Sequence, residues 1–188
     1  MSEMRRMLDP LKRSISNRVQ RAVVNLVNDA LKMQRVQVGI LAGEVKDSVE
    51  RFQNFGFTGH PVPGAEAVIL RLGGGSDHAV IIAVDDRRFR KTDLVEGESA
   101  VYDAFGKFIH LTKDGGIIID AAGADVTVNN AATVAINASA GVVITTPTLT
   151  VHGATVFDGT VTANGKRIDE THTHSGVQPG AGNSGAVV

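Results

Sequence analysis

Apolar positions along the chain follow three different rhythms. Over residues 8–31, Leu8, Leu11, Ile15, Val19, Val23, Leu26 and Ala30 recur at steps of three and four, which gathers side chains on one face of a helix. Pro10 stands near its start, where a fixed φ and a missing N–H are tolerated. The pattern predicts an amphipathic helix within residues 1–33. Between Gln34 and Lys113 the rhythm shortens. The runs VQVGIL (36–41), VERFQNF (49–55), AVILRL (67–72), AVIIAV (79–84) and SAVYDAF (99–105) read as strands, with GHPVPG and LGGGSDH as turns between them. So many strands in so short a span predict a small barrel of the oligonucleotide/oligosaccharide-binding (OB-like) type over residues 34–105.

The third rhythm is a repeat. Apolar doublets at i and i+2 occur at Ile117/Ile119, Val126/Val128, Val134/Ile136, Val142/Ile144 and Leu149/Val151, with first members nine, eight, eight and seven residues apart. Val156 and Val161 continue it more tightly. Gly, Asn, Asp, Ala and Pro fill the intervals, which suits turns. In a strand, residues i and i+2 point to one side. One doublet per rung is too thin a core for one chain, and its strand edges stay open. A single-chain solenoid generally needs about 20 or more residues per coil, so a spacing near eight is too short for one. Identical chains wound about a common axis solve both problems. The reading is mainly β, with an intertwined trimeric β-helix shaft over residues 106–170. Lone hairpins on a globular domain are the alternative.

Composition sharpens this picture. In 188 residues aromatics are 4%, Trp and Cys are absent, and Gly numbers 21. Few aromatics argue against a large monomeric core, and without disulfides oligomerisation is the expected source of stability. All the aromatics except Phe157 fall between Gln34 and Lys113, so that part is expected to hold the conventional core. The net charge of −1 gives no global reason to expect nucleic-acid or membrane binding. Residues 1–35 are locally +5, with eight Lys/Arg against three Asp/Glu. That suits a solvated basic helix face or a docking helix, and no DNA-binding motif follows it. The start lacks the apolar stretch of a signal peptide, and no apolar run approaches the ~18 residues of a transmembrane helix. Synthesis in the cytoplasm is therefore expected.

Two histidines, His172 and His174, close the repetitive region in the stretch THTHSG. On an extended chain both project to the same side. Facing a threefold axis, they would bring six imidazoles around one point. Zinc prefers four ligands, so an all-nitrogen octahedron argues for iron, with nickel or cobalt as alternatives. Such a site is coordinatively closed, hence structural rather than catalytic, and loosens in acid because ligating imidazoles must be neutral. Gly176, Gly180, Gly182 and Gly185 in the tail allow tight reversals where three backbones converge; a linker-like tail is the competing reading. His60, His78, His110 and His152 stand alone and are read as ordinary residues.

GESAVYDAFGKFIHLTKDGGIII (97–119) resembles the junction between barrel and β-helix in the central spikes of contractile phage tails, and NGKRIDETHTHSGVQPGAGNSG (164–185) resembles their apex. The chain is similar to the baseplate assembly protein V family, which includes the spikes of Mu-like phages, from about Gln34 onward. The resemblance implies a homotrimer whose barrel mounts on the baseplate hub protein, followed by a shaft and, over residues 171–188, a needle tip. It implies iron at the tip, held by His172 and His174 of each chain. It also implies calcium and chloride on the trimer axis in some members, with Asp169 or Glu170 as conceivable additional ion ligands. The implied function is mechanical: a virion component at the tip of the tail baseplate, driven through the outer membrane of a Gram-negative host.

Three other functions are weighed. A tailocin or other phage-derived injection device would use the same physics. A tail-associated glycan depolymerase usually needs two carboxylates across a cleft. Asp120, Asp125, Asp158, Asp169 and Glu170 offer no obvious pair, and Phe157 is the one aromatic near them. A trimeric adhesin would be expected to carry a signal peptide. The chain is read as a non-enzyme.

Overall fold

A computed structural model describes residues 18–40, 43–72 and 78–169, together with Leu8, His172, Thr173, Gly176 and Gly180. The described chain divides into two compact units, Met1–Asn130 and Ala131–Val188, and each is described by itself.

Five strands of the first unit close into a barrel: β1 (Val19–Asn28), β2 (Arg35–Ile40), β3 (Val45–Arg51), β4 (Glu66–Arg71) and β5 (Ala79–Asp85), in the order β1-β2-β3-β5-β4. β1 is long enough to pair antiparallel with both β2 and β4. The two ladders overlap at Ala22 and Val23, and a bulge between Val24 and Leu26, within the β1–β2 ladder, bends the strand. The seam is a short parallel pairing of β3 with β5, Glu50 opposite Val80 and Arg51 opposite Ile81. The strands alternate inward and outward faces. Val36, Val38 and Ile40 of β2 point in, as do Ala67 and Ile69 of β4. Every side chain of the buried apolar core is Ala, Val or Ile. The aromatics expected to fill it lie outside it.

The segment expected to be helical is different. Residues 19–28 are strand β1, and residues 9–17 lie outside the described residues. The positions that face the core are Ala22 and Val24, whereas Val19, Val23 and Leu26 of the helical pattern are 56%, 45% and 61% exposed. Val19, Val23, Val24 and Val27 are β-branched and favour strands. Two ladders of backbone hydrogen bonds then outweigh a weak local preference for helix.

A second sheet follows within the same unit: β6 (Ser99–Tyr102), β7 (Phe108–Leu111) and β8 (Ile117–Asp120), an antiparallel meander. SAVYDAF, read as a barrel strand, supplies β6 of this sheet, and β1 takes the fifth place in the barrel. In the β6–β7 turn, Asp103 Oδ1 accepts from the amides of Phe105 and Lys107, and Gly106 adopts φ 91°. In the second unit, β9 (Thr162–Ala163) and β10 (Lys166–Arg167) form a hairpin. Its two turn residues, Asn164 and Gly165, have φ of 49° and 76°, both positive as a type I′ turn requires.

Candidate functional site

From Ala122 to Thr160 every residue is exposed, and among the described residues none from Ala121 to Val161 belongs to a strand. The five doublets from Ile117/Ile119 to Leu149/Val151 are between 55% and 70% exposed. Between Asp125 and Thr160 the hydrogen bonds among described residues are a local pair joining Thr146 and Thr148. Fully burying a Val, Leu or Ile side chain is worth roughly 1.5–3 kcal/mol. With 55–70% of each still exposed, ten such side chains leave roughly 9–20 kcal/mol gross to be gained, on the scale of the ~5–15 kcal/mol stability of a typical domain. Large exposed apolar side chains in such number call for an explanation, since extensive apolar surface is characteristic of interaction sites.

The entry to this region is braced by charge. Glu98, just before β6, accepts from the amides of Val95 and Lys113 at 3.0 and 2.9 Å, and its Oε2 lies 3.0 Å from His110 Nε2. Hydrogen bonds from Lys113, then Val95, with a smaller contribution from His110, hold this carboxyl below the usual carboxylate range. His110, read from sequence as ordinary, is therefore the partner of an anchoring carboxylate.

Towards the other end, the hairpin leads into the histidine motif. Ile168 N donates to Val161 O, extending the β9–β10 pairing. The Arg167 guanidinium donates from Nε and Nη2 to Asp169 Oδ2 at 3.0 and 2.7 Å. His172 N donates to Asp169 O at 3.1 Å, and its ring Nδ1 lies 2.7 Å from the same oxygen. A carbonyl oxygen only accepts, so Nδ1 carries the hydrogen. The lone pair is then on Nε2, the form in which a neutral imidazole ligates a metal while its other nitrogen is held by a carbonyl. In this tautomer His172 offers one imidazole nitrogen of the kind a transition metal takes. His174 and Glu170 lie outside the described residues. Among the described residues of one chain, no three His, Cys, Asp or Glu side chains converge as metal ligands.

Two features escaped the sequence reading. One is the Asn164–Gly165 turn, whose dipeptide is the strongest short-range hairpin signal. The other is the exposed aromatic set on the β3–β4 connection, where Phe52, Phe55 and Phe57 are 53%, 105% and 67% exposed.

Comparison with known proteins matches both ends of this arrangement. Residues 21–88, which span nearly all of the barrel, match the family described as Bacteriophage Mu Gp45, N-terminal. Residues 170–186 match the GpV Apex motif. The baseplate puncturing device gp45 of Escherichia phage Mu is 40% identical over 182 residues, covering 93% of this chain and 92% of that protein. The Mu-like prophage FluMu protein gp45 of Haemophilus influenzae strain Rd is 40% identical over 119 residues, covering 63% of this chain and 65% of its own.

Proposed function

The chain belongs to the phage Mu Gp45 family, and from that premise we propose that it is the central spike of a contractile tail baseplate, a mechanical part and not an enzyme. Three copies assemble about one axis. The barrel docks on the baseplate hub protein, residues 106–170 wind into the shaft, and residues 171–188 form the apex. The device sits at the tip of the virion tail and is driven through the host outer membrane. A prophage-borne device would work identically, as the likeness to a Mu-like prophage protein suggests.

The observation that carries the assembly is the exposure of all five doublets, 55–70% in one chain. Copies wound together turn each doublet towards its symmetry mates. Their backbones complete hydrogen bonds that one chain leaves to solvent, and closure removes open strand edges. Force along the axis then meets many hydrogen bonds that must break together, which makes such a shaft stiff.

At the apex, His172 and His174 of each chain would hold a transition metal; six imidazole nitrogens suit iron, and a bound ion would supply a cross-link among the three chains. The carbonyl of Asp169 keeps His172 in the ligating tautomer. Calcium and chloride on the axis are further ions of this reading, with Asp169 and Glu170 as the nearest acids. A cation at Asp169 would compete with Arg167 for its carboxylate.

The test is the mass of the purified, intact assembly under native conditions, with elemental analysis of the same sample. Three chains with one transition metal are expected; a metal-free monomer would sink the reading.

A further inference from the structure

The barrel uses none of its aromatic residues for its core. The chain has seven Phe and one Tyr, all among the described residues, and none is buried. Phe55 is 105% exposed and Phe57 67%, both on the connection between β3 and β4. That connection is tethered from beneath. Gly59 O accepts from Arg51 Nη1 at 2.7 Å and from the buried Gln34 Nε2 at 3.2 Å, while Gly59 N donates to Gln53 Oε1 at 2.8 Å. Phe57 N donates to Asn54 O. The two rings are thus presented on a fixed loop, which lowers the ordering cost of binding. Aromatic side chains are enriched at the centres of protein interfaces.

The same unit carries a matching recess. A groove of about 760 Å³ lies between Pro61–Pro63 on one side and the β6–β7 turn with Tyr102 and Phe105 on the other, and Phe89 also lines it. Tyr102 belongs as well to a second apolar hollow, of about 440 Å³, with Ile119 and Val126, members of the first two doublets. The groove therefore shares Tyr102 and Asp103 with the hollow at the first two doublets, a surface that other copies of this chain are proposed to cover.

We infer that Phe55 and Phe57 of one copy seat in the groove at Tyr102 and Phe105 of the next copy, a heterologous contact that closes after three. Phe55 and Phe57 do not themselves line the groove, although Thr58, Gly59 and His60 beside them do; rings of one copy entering the groove of the next make a head-to-tail contact. Such contacts make closed rings when the rotation permits. The second copy is favoured as occupant because Tyr102 and Asp103 line both the groove and the hollow that holds Ile119 and Val126. The inference rests on the trimeric reading above, and adds where the barrels lock.

The chain has no cysteine, which makes a direct test possible. Full-length Phe55→Cys/Phe105→Cys is oxidised mildly and run on a denaturing, non-reducing gel, beside each single variant and a native mass of the unmodified protein. A covalently linked trimer from the double variant, with both single variants monomeric, is the expected result. A native trimer whose double variant stays unlinked, or links only within one chain, overturns the inference and leaves the trimer standing; a foreign baseplate protein in the groove would give this outcome. Linking of Phe55→Cys alone overturns the head-to-tail arrangement. A native monomer removes the trimeric reading itself, and this inference with it. Should the cysteine variants fail to fold, Phe55→Ser/Phe57→Ser is followed by amide exchange in the native trimer. Faster exchange at Tyr102 and Phe105 is expected, and unchanged exchange overturns the proposal.

Discussion

Nε2 of His110 on β7 lies 3.0 Å from Oε2 of Glu98, and the same carboxylate takes the amide hydrogens of Val95 and Lys113. One side chain thereby fixes the approach to β6 and the β7–β8 turn. Hydrogen bonds from Lys113 and Val95 lead in holding its carboxyl below the ordinary range. A carboxyl depressed on folding stabilises the fold above its unfolded value, roughly pH 4.3 for Glu, and that contribution fades as pH falls through the folded value. Protection of the Val95 and Lys113 amides, taken relative to the intrinsic exchange rate at each pH, is therefore expected to fall as pH drops through this acid window. Glu98→Gln is expected to show the faster exchange already at neutral pH, since an amide NH2 faces one of the donors. Equal protection in variant and wild type would refute this role.

Gln34 is 3% exposed, donating to Asp29 at 2.7 Å and Gly59 at 3.2 Å and accepting from Arg51 at 2.7 Å. Gln34→Leu removes three hydrogen bonds and leaves the half-buried Arg51 Nη1 with Gly59 O as its remaining acceptor among the described residues. Leaving partly buried polar groups unsatisfied costs about 1–3 kcal/mol. The variant is expected to lose that much stability in denaturant unfolding. Cleavage on the Phe55-bearing connection is expected to rise, because Gly59 loses one of its donors.

Ile69 is fully buried in the barrel, whereas Ile136 is 70% exposed. Ile69→Ala leaves a cavity and is expected to destabilise the barrel by roughly 2–5 kcal/mol. Native mass should still report the proposed trimer. Val134→Asp/Ile136→Asp is expected to do the reverse: the barrel unfolds as before, and the assembly dissociates. A doubly substituted chain that retains its oligomeric mass would place those doublets outward.

These contrasts mark what the sequence discloses. Strands β2 to β5 were legible because each is a compact β-forming run closed by Gly or Pro turns. The doublets are legible as a repeat, but those from Val126 to Val151 form no strand in the described chain, because one chain offers them no ladder to pair with. β1 was misread because VQRAVVNLVN carries both a helical and an alternating pattern, and only the ladders to β2 and β4 decide between them. The aromatics misled for a related reason. Composition reports how many there are, while only the fold shows that a barrel this narrow fills with Ala, Val and Ile and turns Phe55 outward. At the apex the HxH spacing was visible, but the hydrogen bond from the His172 ring to Asp169 O was not, because it depends on the turn after the hairpin.

That hairpin is itself testable. Asn164 and Gly165 have φ of 49° and 76°. A β-branched residue in the left-handed region costs roughly 1–2 kcal/mol. Gly165→Val is expected to weaken the β9–β10 pairing, seen as faster exchange at Ile168, whose amide bonds to Val161 O. The barrel transition should stay where it was.

His172→Ala/His174→Ala addresses the proposed metal site. The His172 ring is held through Nδ1 by a backbone carbonyl that substitution elsewhere does not remove, so restoring His172 alone returns an oriented imidazole without its companion. If both histidines of each chain are needed, the double variant and each single variant lose the metal on elemental analysis. The native mass should remain that of the proposed trimer, in which the doublets and not the ion would carry the bulk of the buried area. Heat should then open the apex of the variants first, with exchange at the tip rising before the barrel melts. A variant lacking both imidazoles that still copurifies with stoichiometric metal would move the site elsewhere.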